Sequence, residues 1–373
     1  MLGVISAAIN AFLITFFVIP SIISIAEIKH LYDTPGARKS HLSKIPTLGG
    51  IGIFAGFLIS VCLYANFSTN PKLQFIIGAF CLLFMLGAKD DIIELTPYKK
   101  FIGQIAAAFI VTYFGNIRLT SLYGVFEISQ IPYIWSVLIS MFIIILIINS
   151  FNLIDGINCL AGFTAIIISA TFGAWFYLYG FEDYAILSAA LIGSVLAFLK
   201  FNFSPAKIFM GDSGSLIVGL MSAILAIEFI ERSEVVRVQF SNGGHYWITA
   251  APGMSVAALI IPLFDTLRAF SLRLLNGKSP FTADRNHIHH RLIDLNLSHV
   301  QASVVLGIVN VGFIVLGYYF QPLGNLWMMI ALLGVALVLS IILFSIKVKD
   351  LDFAHSKQDE KDNIRPINGA KFR

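Results

Sequence analysis

The sequence predicts an all-α integral membrane protein of about eleven transmembrane helices, with its N-terminus outside and its C-terminus cytoplasmic. Three observations carry this. The 373 residues are 57% hydrophobic and 12% charged, about half the charged share of a soluble domain, and mean hydropathy is +0.84. Apolar runs long enough for a hydrocarbon core about 30 Å thick recur along almost the whole chain. Basic residues collect in alternate connections.

By window length the spans fall at 3–25, 48–66, 73–88, 101–115, 133–150, 159–178, 184–200, 213–230, 254–271, 300–318 and 326–346. They leave no room for a separate soluble domain, so residues 1–346 read as one membrane unit. The first run has no Lys or Arg ahead of it and no small-residue cleavage site, and is expected as a retained helix. Lys29, Arg38, Lys39 and Lys44 follow it; Lys89, Lys99 and Lys100 follow the third run; Lys200 and Lys207 follow the seventh; Arg273, Lys278, Arg285 and Arg291 follow the ninth. The opposite connections hold only Lys72, Arg118, Arg232 and Arg237. That asymmetry sets the orientation. Residues 347–373, polar and charged, read as a disordered cytoplasmic tail. The net charge of +4 reflects this topology rather than nucleic-acid binding, and Cys62, Cys81 and Cys159 lack the spacing of a disulfide framework or zinc site. His245, Tyr246 and Trp247 in the outside segment 231–252 read as an interfacial anchor.

Five polar constellations interrupt this apolar chain on its cytoplasmic side. Asp90, Asp91 and Glu94 end the third span, as a cation site or a solvated helix end. Asn149, Asn152, Asp155 and Asn158 recur every three residues, which on a helix places neighbours on one face. They would serve a common ligand or bond between helices, with Gly156 allowing a tight bend. In Phe209-Met210-Gly211-Asp212-Ser213-Gly214, Asp212 would cap a helix, or the helix start would face a phosphate. His287, His289 and His290 lie between Arg285 and Arg291, which suits an anionic diphosphate better than a transition metal; a solvated loop is the alternative. The first cytoplasmic loop carries Lys39 and Lys44, which topology alone would explain, and Gly52 and Gly56 read as a helix-packing pair. Acids for a hard cation, cations for phosphates and a lipid setting together point to phosphoryl chemistry on a lipid carrier, with Mg²⁺ as the natural metal.

From Tyr32 to about His299 the sequence closely resembles the polyprenyl-phosphate N-acetylhexosamine-1-phosphate transferases. Their paired-Asp motif looks like Asp90-Asp91, continued by Lys100 to Gln104; NxxNxxDG is similar to Asn149–Gly156, FMGD to Phe209–Asp212, and HxHH to His287, His289 and His290. Two positions depart: Glu94 stands for a third Asp, and Asn158 with Cys159 for a second Asp-Gly. HxHH followed by Arg291 looks like the branch that starts O-antigen, enterobacterial common antigen or teichoic-acid chains.

The resemblance implies a bacterial cytoplasmic-membrane enzyme that moves GlcNAc-1-phosphate from UDP-GlcNAc to undecaprenyl phosphate, releasing UMP. Other UDP-N-acetylhexosamines, or the phospho-MurNAc-pentapeptide donor of the peptidoglycan branch, are the alternatives. It implies Mg²⁺, with Mn²⁺ as a substitute, on Asp212, Asn152 and Asp155. Asp90, Asp91 and Asp155 become catalytic, with Asp90 keeping the lipid phosphate deprotonated. Lys39, Lys44, Lys100, Asn149, Asn158, Arg285 and the three histidines become substrate-binding. The implied partners are the UDP-sugar, the lipid and the membrane, with a homodimer as an option. The rival class is a cation-coupled transporter, whose acids should lie near the membrane midplane.

The orientation is checked by cysteine labelling from outside the cell: a site engineered at Asn242 should react and one at Lys278 should not. The reverse pattern would overturn the shared-face argument.

Overall fold

The computed structural model describes residues 2–32, 45–125, 130–240, 248–277 and 287–346. Lys39, Lys44, Arg285, the tail and part of the outside segment lie outside them. The described residues form helices and no strands: α1 (Leu2–Ile28), α2 (Gly49–Tyr64), α3 (Lys72–Ile92), α4 (Pro97–Phe109, continued by a π-turn over Ile110–Phe114), α5 (Tyr133–Ile154), α6 (Leu160–Leu178), α7 (Glu182–Asn202), α8 (Gly211–Phe240), α9 (Ala251–Ala258), α10 (Ile260–Leu275), α11 (Ile288–Asp294), α12 (His299–Phe320) and α13 (Gly324–Ser345). Six helical stretches are long and apolar enough to cross a membrane, seven if α9 and α10 count as one bent span. One of the six, His299–Ser345, is two antiparallel helices. Arg291, just before α12, donates to the carbonyls of Phe344 and Ile346 at the end of α13.

The centre of the bundle is α8. Its apolar window is fully buried, among α2, α3, α5, α6 and α9. At about 1.5 Å per residue it is roughly 45 Å long, so it outruns the 213–230 span. The outside segment expected from Glu231 therefore begins as helix, through Phe240. The sequence Glu231 to Phe240 mixes charges with Val and Phe; Glu231 faces inward, accepting from Thr120 and the Tyr123 hydroxyl.

Close approach at the start of α8 depends on absent side chains. Gly49 and Gly50 donate their N–H groups to the carbonyls of Phe209 and Met210, both at 2.9 Å. Gly52 and Gly56 pack α2 on α1, as their spacing predicts: the Gly52 carbonyl accepts from Thr15 Oγ1 at 3.0 Å.

The ninth apolar run is not one straight helix. It breaks at Leu259, and α9 and α10 diverge by 77°. Pro262 has no N–H for the carbonyl of Ala258, which in hydrocarbon would be costly to leave bare. Asn310 of α12 fills that role, donating Nδ2 to Ala258 at 3.0 Å. The acid in this run, Asp265, thereby leaves the line of α9.

At the far end of α8, Glu228 is buried between Lys72 of α3 at 2.7 Å and Arg232 at 2.8 Å. The Arg232 guanidinium also lies over the Phe181 and Tyr184 rings at the start of α7. Two of the four basic residues assigned to the outer connections are thus held by one buried acid.

A Cβ on Gly50 would sit 2.1 Å from the Gly214 nitrogen, and one on Gly87 2.6 Å from Ser213 backbone. Neither obstacle can swing aside. Gly50→Ala and Gly87→Ala should each cost about 1–3 kcal/mol, read as a lower Tm in detergent. Gly78→Ala, with nothing within 4 Å, should leave Tm unchanged or slightly higher.

Candidate active site

The site is built at the first turn of α8. An α-helix begins with N–H groups that have no partner within it. Here they meet acids from other helices. Asp91, at the end of α3, accepts from the N–H of Asp212 at 2.7 Å and of Ser213 at 3.0 Å. Asp155, just past α5, takes the N–H of Gly211. The FMGD segment is thus held by its backbone. The Asp212 carboxylate, within the first turn, is left to other partners and does not cap the helix.

Successive helical residues point about 100° apart, so Asp90 faces elsewhere than Asp91. Its Oδ1 accepts from the N–H of Leu95 at 2.7 Å. This closes the turn into α4, where Thr96-Pro97 suits a helix start. The turn brings back Lys100, whose Nζ lies 2.5 Å from Asp90 Oδ2 and 2.8 Å from Asp212 Oδ2.

The last turns of α5 complete the cluster. Asn152 donates Nδ2 to Asp212 Oδ1 at 2.8 Å and to Ser215 Oγ at 3.0 Å. Asn149 forms a reciprocal amide pair with Gln104 of α4, at 2.7 and 3.2 Å. The three-residue spacing therefore places Asn149 and Asn152 on the helix, but the helix ends before the other two. Asp155 is its C-cap. Asn158 follows in the turn and is buried, with its carbonyl accepting from Ser303 of α12.

The histidine segment joins from the broken helix. His287 Nδ1 lies 2.9 Å from Asp265 Oδ2, and the N–H of Ile288 donates to Asp265 Oδ1 at 2.8 Å. His289 is buried beside Gly156: its Nε2 is 2.8 Å from where a Cβ on that glycine would stand. Burial pushes its imidazole down to about 3, which favours the neutral ring. The His290 ring lies 4.3 Å from that of His289. Arg291 faces the end of α13. Sequence reasoning missed Asp265, although an acid inside an apolar run is itself a signal, and it quoted Gln104 without a role.

Asp91 and Asp155 stand near Asp212, and Asp212 shares the Lys100 ammonium with Asp90. Burial pushes the Asp91 carboxyl up to about 7, against the N–H groups of Ser213 and Asp212, with the charge of Asp212 adding to the rise. Burial raises Asp155 well above the usual carboxylate range, with Asp212 and Asp91 contributing. Burial also raises Asp90, opposed by Lys100. A further positive charge would relieve all three. Among the described residues no group of three or more His, Cys, Asp or Glu is placed to hold a metal ion by itself. Mg²⁺ needs none, since one or two carboxylates and substrate phosphates suffice. The donor set fits such an ion.

Residues 73–230 match the family described as glycosyl transferase family 4. A Bacillus subtilis protein described as "Probable undecaprenyl-phosphate N-acetylglucosaminyl 1-phosphate transferase" is 32% identical over 319 residues, covering 84% of this chain and 83% of its own. A Mycolicibacterium smegmatis decaprenyl-phosphate N-acetylglucosaminephosphotransferase is 30% identical, with 83% and 79% covered. An Escherichia coli K12 undecaprenyl-phosphate alpha-N-acetylglucosaminyl 1-phosphate transferase is 28% identical, with 82% and 81% covered.

Asp91→Ala would leave the two helix-start N–H groups without their acceptor. It should cost about 1–3 kcal/mol, seen as a lower Tm, and turnover should fall with it. An unchanged Tm would show that Asp91 does not hold the start of α8.

Proposed function

The chain belongs to the polyprenyl-phosphate N-acetylglucosamine-1-phosphate transferases of glycosyl transferase family 4, and from that membership we propose that it transfers GlcNAc-1-phosphate from UDP-GlcNAc to undecaprenyl phosphate, releasing UMP. The observation that carries this reading is the convergence of Asp90, Asp91, Asp155, Asp212 and Lys100 at one end of the bundle. This is a site for anions bridged by a cation. A cation-coupled transporter finds no support among the relatives, and these acids stand at helix ends. The setting we assign is the bacterial cytoplasmic membrane, with eleven spans, the N-terminus outside and the site facing the cytoplasm.

In the reaction, an oxygen of the lipid phosphate attacks the β-phosphorus of the UDP-sugar. The bond from that phosphorus to the bridging oxygen breaks, and UMP leaves with it. Asp212 would hold Mg²⁺, or Mn²⁺ in its place, with Asn152 and Asp155 completing the shell. Bound there, the ion would neutralise charge on the diphosphate. Asp90 keeps the lipid phosphate deprotonated. Lys100, between Asp90 and Asp212, orients the two anions. Asp91 holds the backbone on which Asp212 stands. Lys39, Lys44 and Arg285 add positive charge for the substrates. Asn149 acts through its pair with Gln104, and Asn158 through the turn after Gly156. The acceptor is already an anionic nucleophile, so direct attack needs no covalent enzyme intermediate.

Purified protein should release UMP from UDP-GlcNAc only with both polyprenyl phosphate and Mg²⁺ or Mn²⁺ present. EDTA should abolish release, and Asp212→Asn should nearly do so in protein that still folds. A panel of UDP-sugars identifies the donor. A stoichiometric UMP burst without lipid, with label retained on the protein, would overturn direct attack.

A further inference from the structure

Asp265 stands six residues beyond the break at Leu259, and its side chain is almost wholly enclosed. Both of its oxygens are engaged by the histidine segment: one by the ring of His287, the other by the N–H of Ile288, the first residue of α11. Across the His287 ring, Nε2 faces the buried guanidinium of Arg273 at 3.4 Å. An acid on Nδ1 and a guanidinium on Nε2 select one form of neutral imidazole, with its proton on Nδ1 and its lone pair on Nε2. That histidine is committed at both nitrogens.

His289 differs. It is 1% exposed, yet neither ring nitrogen has a hydrogen-bond partner among the described residues. A buried polar group without a partner is costly to keep. Its ring is stacked on His287 with centroids 5.5 Å apart, and its Nε2 abuts Gly156, next to Asp155. Its Nδ1 stands 3.8 Å from Asp265 Oδ2, beyond hydrogen-bond reach, and its Nε2 is the nitrogen that abuts the acid turn.

We propose that Asp265 is a positioning residue: by fixing the His287 tautomer and the start of α11, it sets the His289 ring against the Asp155–Gly156 turn, where that ring meets the sugar diphosphate. This division of labour among the three histidines rests on the transferase reading, since the ligand of His289 is that substrate. His287 belongs to the frame and His289 to the site.

Asp265→Asn is the discriminating change. Its amide oxygen can still accept from Ile288, but its NH₂ would face His287 Nδ1, forcing the proton to Nε2 and against Arg273. In ¹⁵N-histidine NMR of the detergent-solubilised protein, one histidine should show the Nδ1–H tautomer and lose it in Asp265→Asn. Per folded molecule, kcat should fall by about tenfold or more, with KM for the lipid within about threefold. Adding His289→Ala to Asp265→Asn should cost less than the two losses combined, because both act through one ring. An unshifted tautomer, wild-type kcat per folded molecule, or fully additive losses would each overturn the proposal. If the wild type released no UMP, the transferase reading would fail, while the NMR result would still decide whether Asp265 sets the His287 tautomer.

Discussion

The bare N–H groups at the start of α8 are the constraint around which the site is organised. A helix that begins inside a protein must find acceptors for them, and α8 finds Asp91 on α3 and Asp155 after α5. The positive end of the helix favours both carboxylates. Three segments distant in sequence are thereby fixed against one another before any substrate arrives. The same arrangement concentrates negative charge, because Asp212 and Asp90 stand beside the acids that do the capping. One lysine offsets part of it, and the remainder would be relieved by a further positive charge.

The histidine segment repeats this solution. Asp265 accepts from the first N–H of α11 as Asp91 accepts from α8. It reaches that position because the ninth run is broken, and the break persists because Asn310 donates to the carbonyl that Pro262 cannot serve. Apolar helices supply the scaffold, while buried acids taken out of line decide where the motifs point.

Much of this was legible in the sequence. In a chain with so few charges, Asp90, Asp91, Asp155, Asp212 and Lys100 stood out, and the alternating basic residues placed them on one side. What was hidden depends on direction in space. Adjacent Asp90 and Asp91 look equivalent until the turn of α3 sends one to α8 and the other to Lys100. Asn149 and Asn158 share a repeat in sequence, but the helix stops between them. Asp265 lay inside an apparently unbroken span, and its partner His287 is 22 residues away. The extension of α8 to Phe240 was masked by charges that the fold directs to Thr120, Tyr123 and other helices.

The buried Glu228 cluster has a mechanical consequence for the active end. Antiparallel helices α3 and α8 are pinned twice, by Lys72 on Glu228 and by Asp91 on the N–H groups of Asp212 and Ser213. Seventeen residues at 1.5 Å put about 25 Å between Glu228 and Gly211 on α8. A beam fixed at two such points can neither slide by a helical turn nor pivot about either end. The two helices form a stator. Against that fixed pair, α10 and α11 are tied by side chains instead, through Asp265 to His287 and Ile288 and through Arg291 to the end of α13.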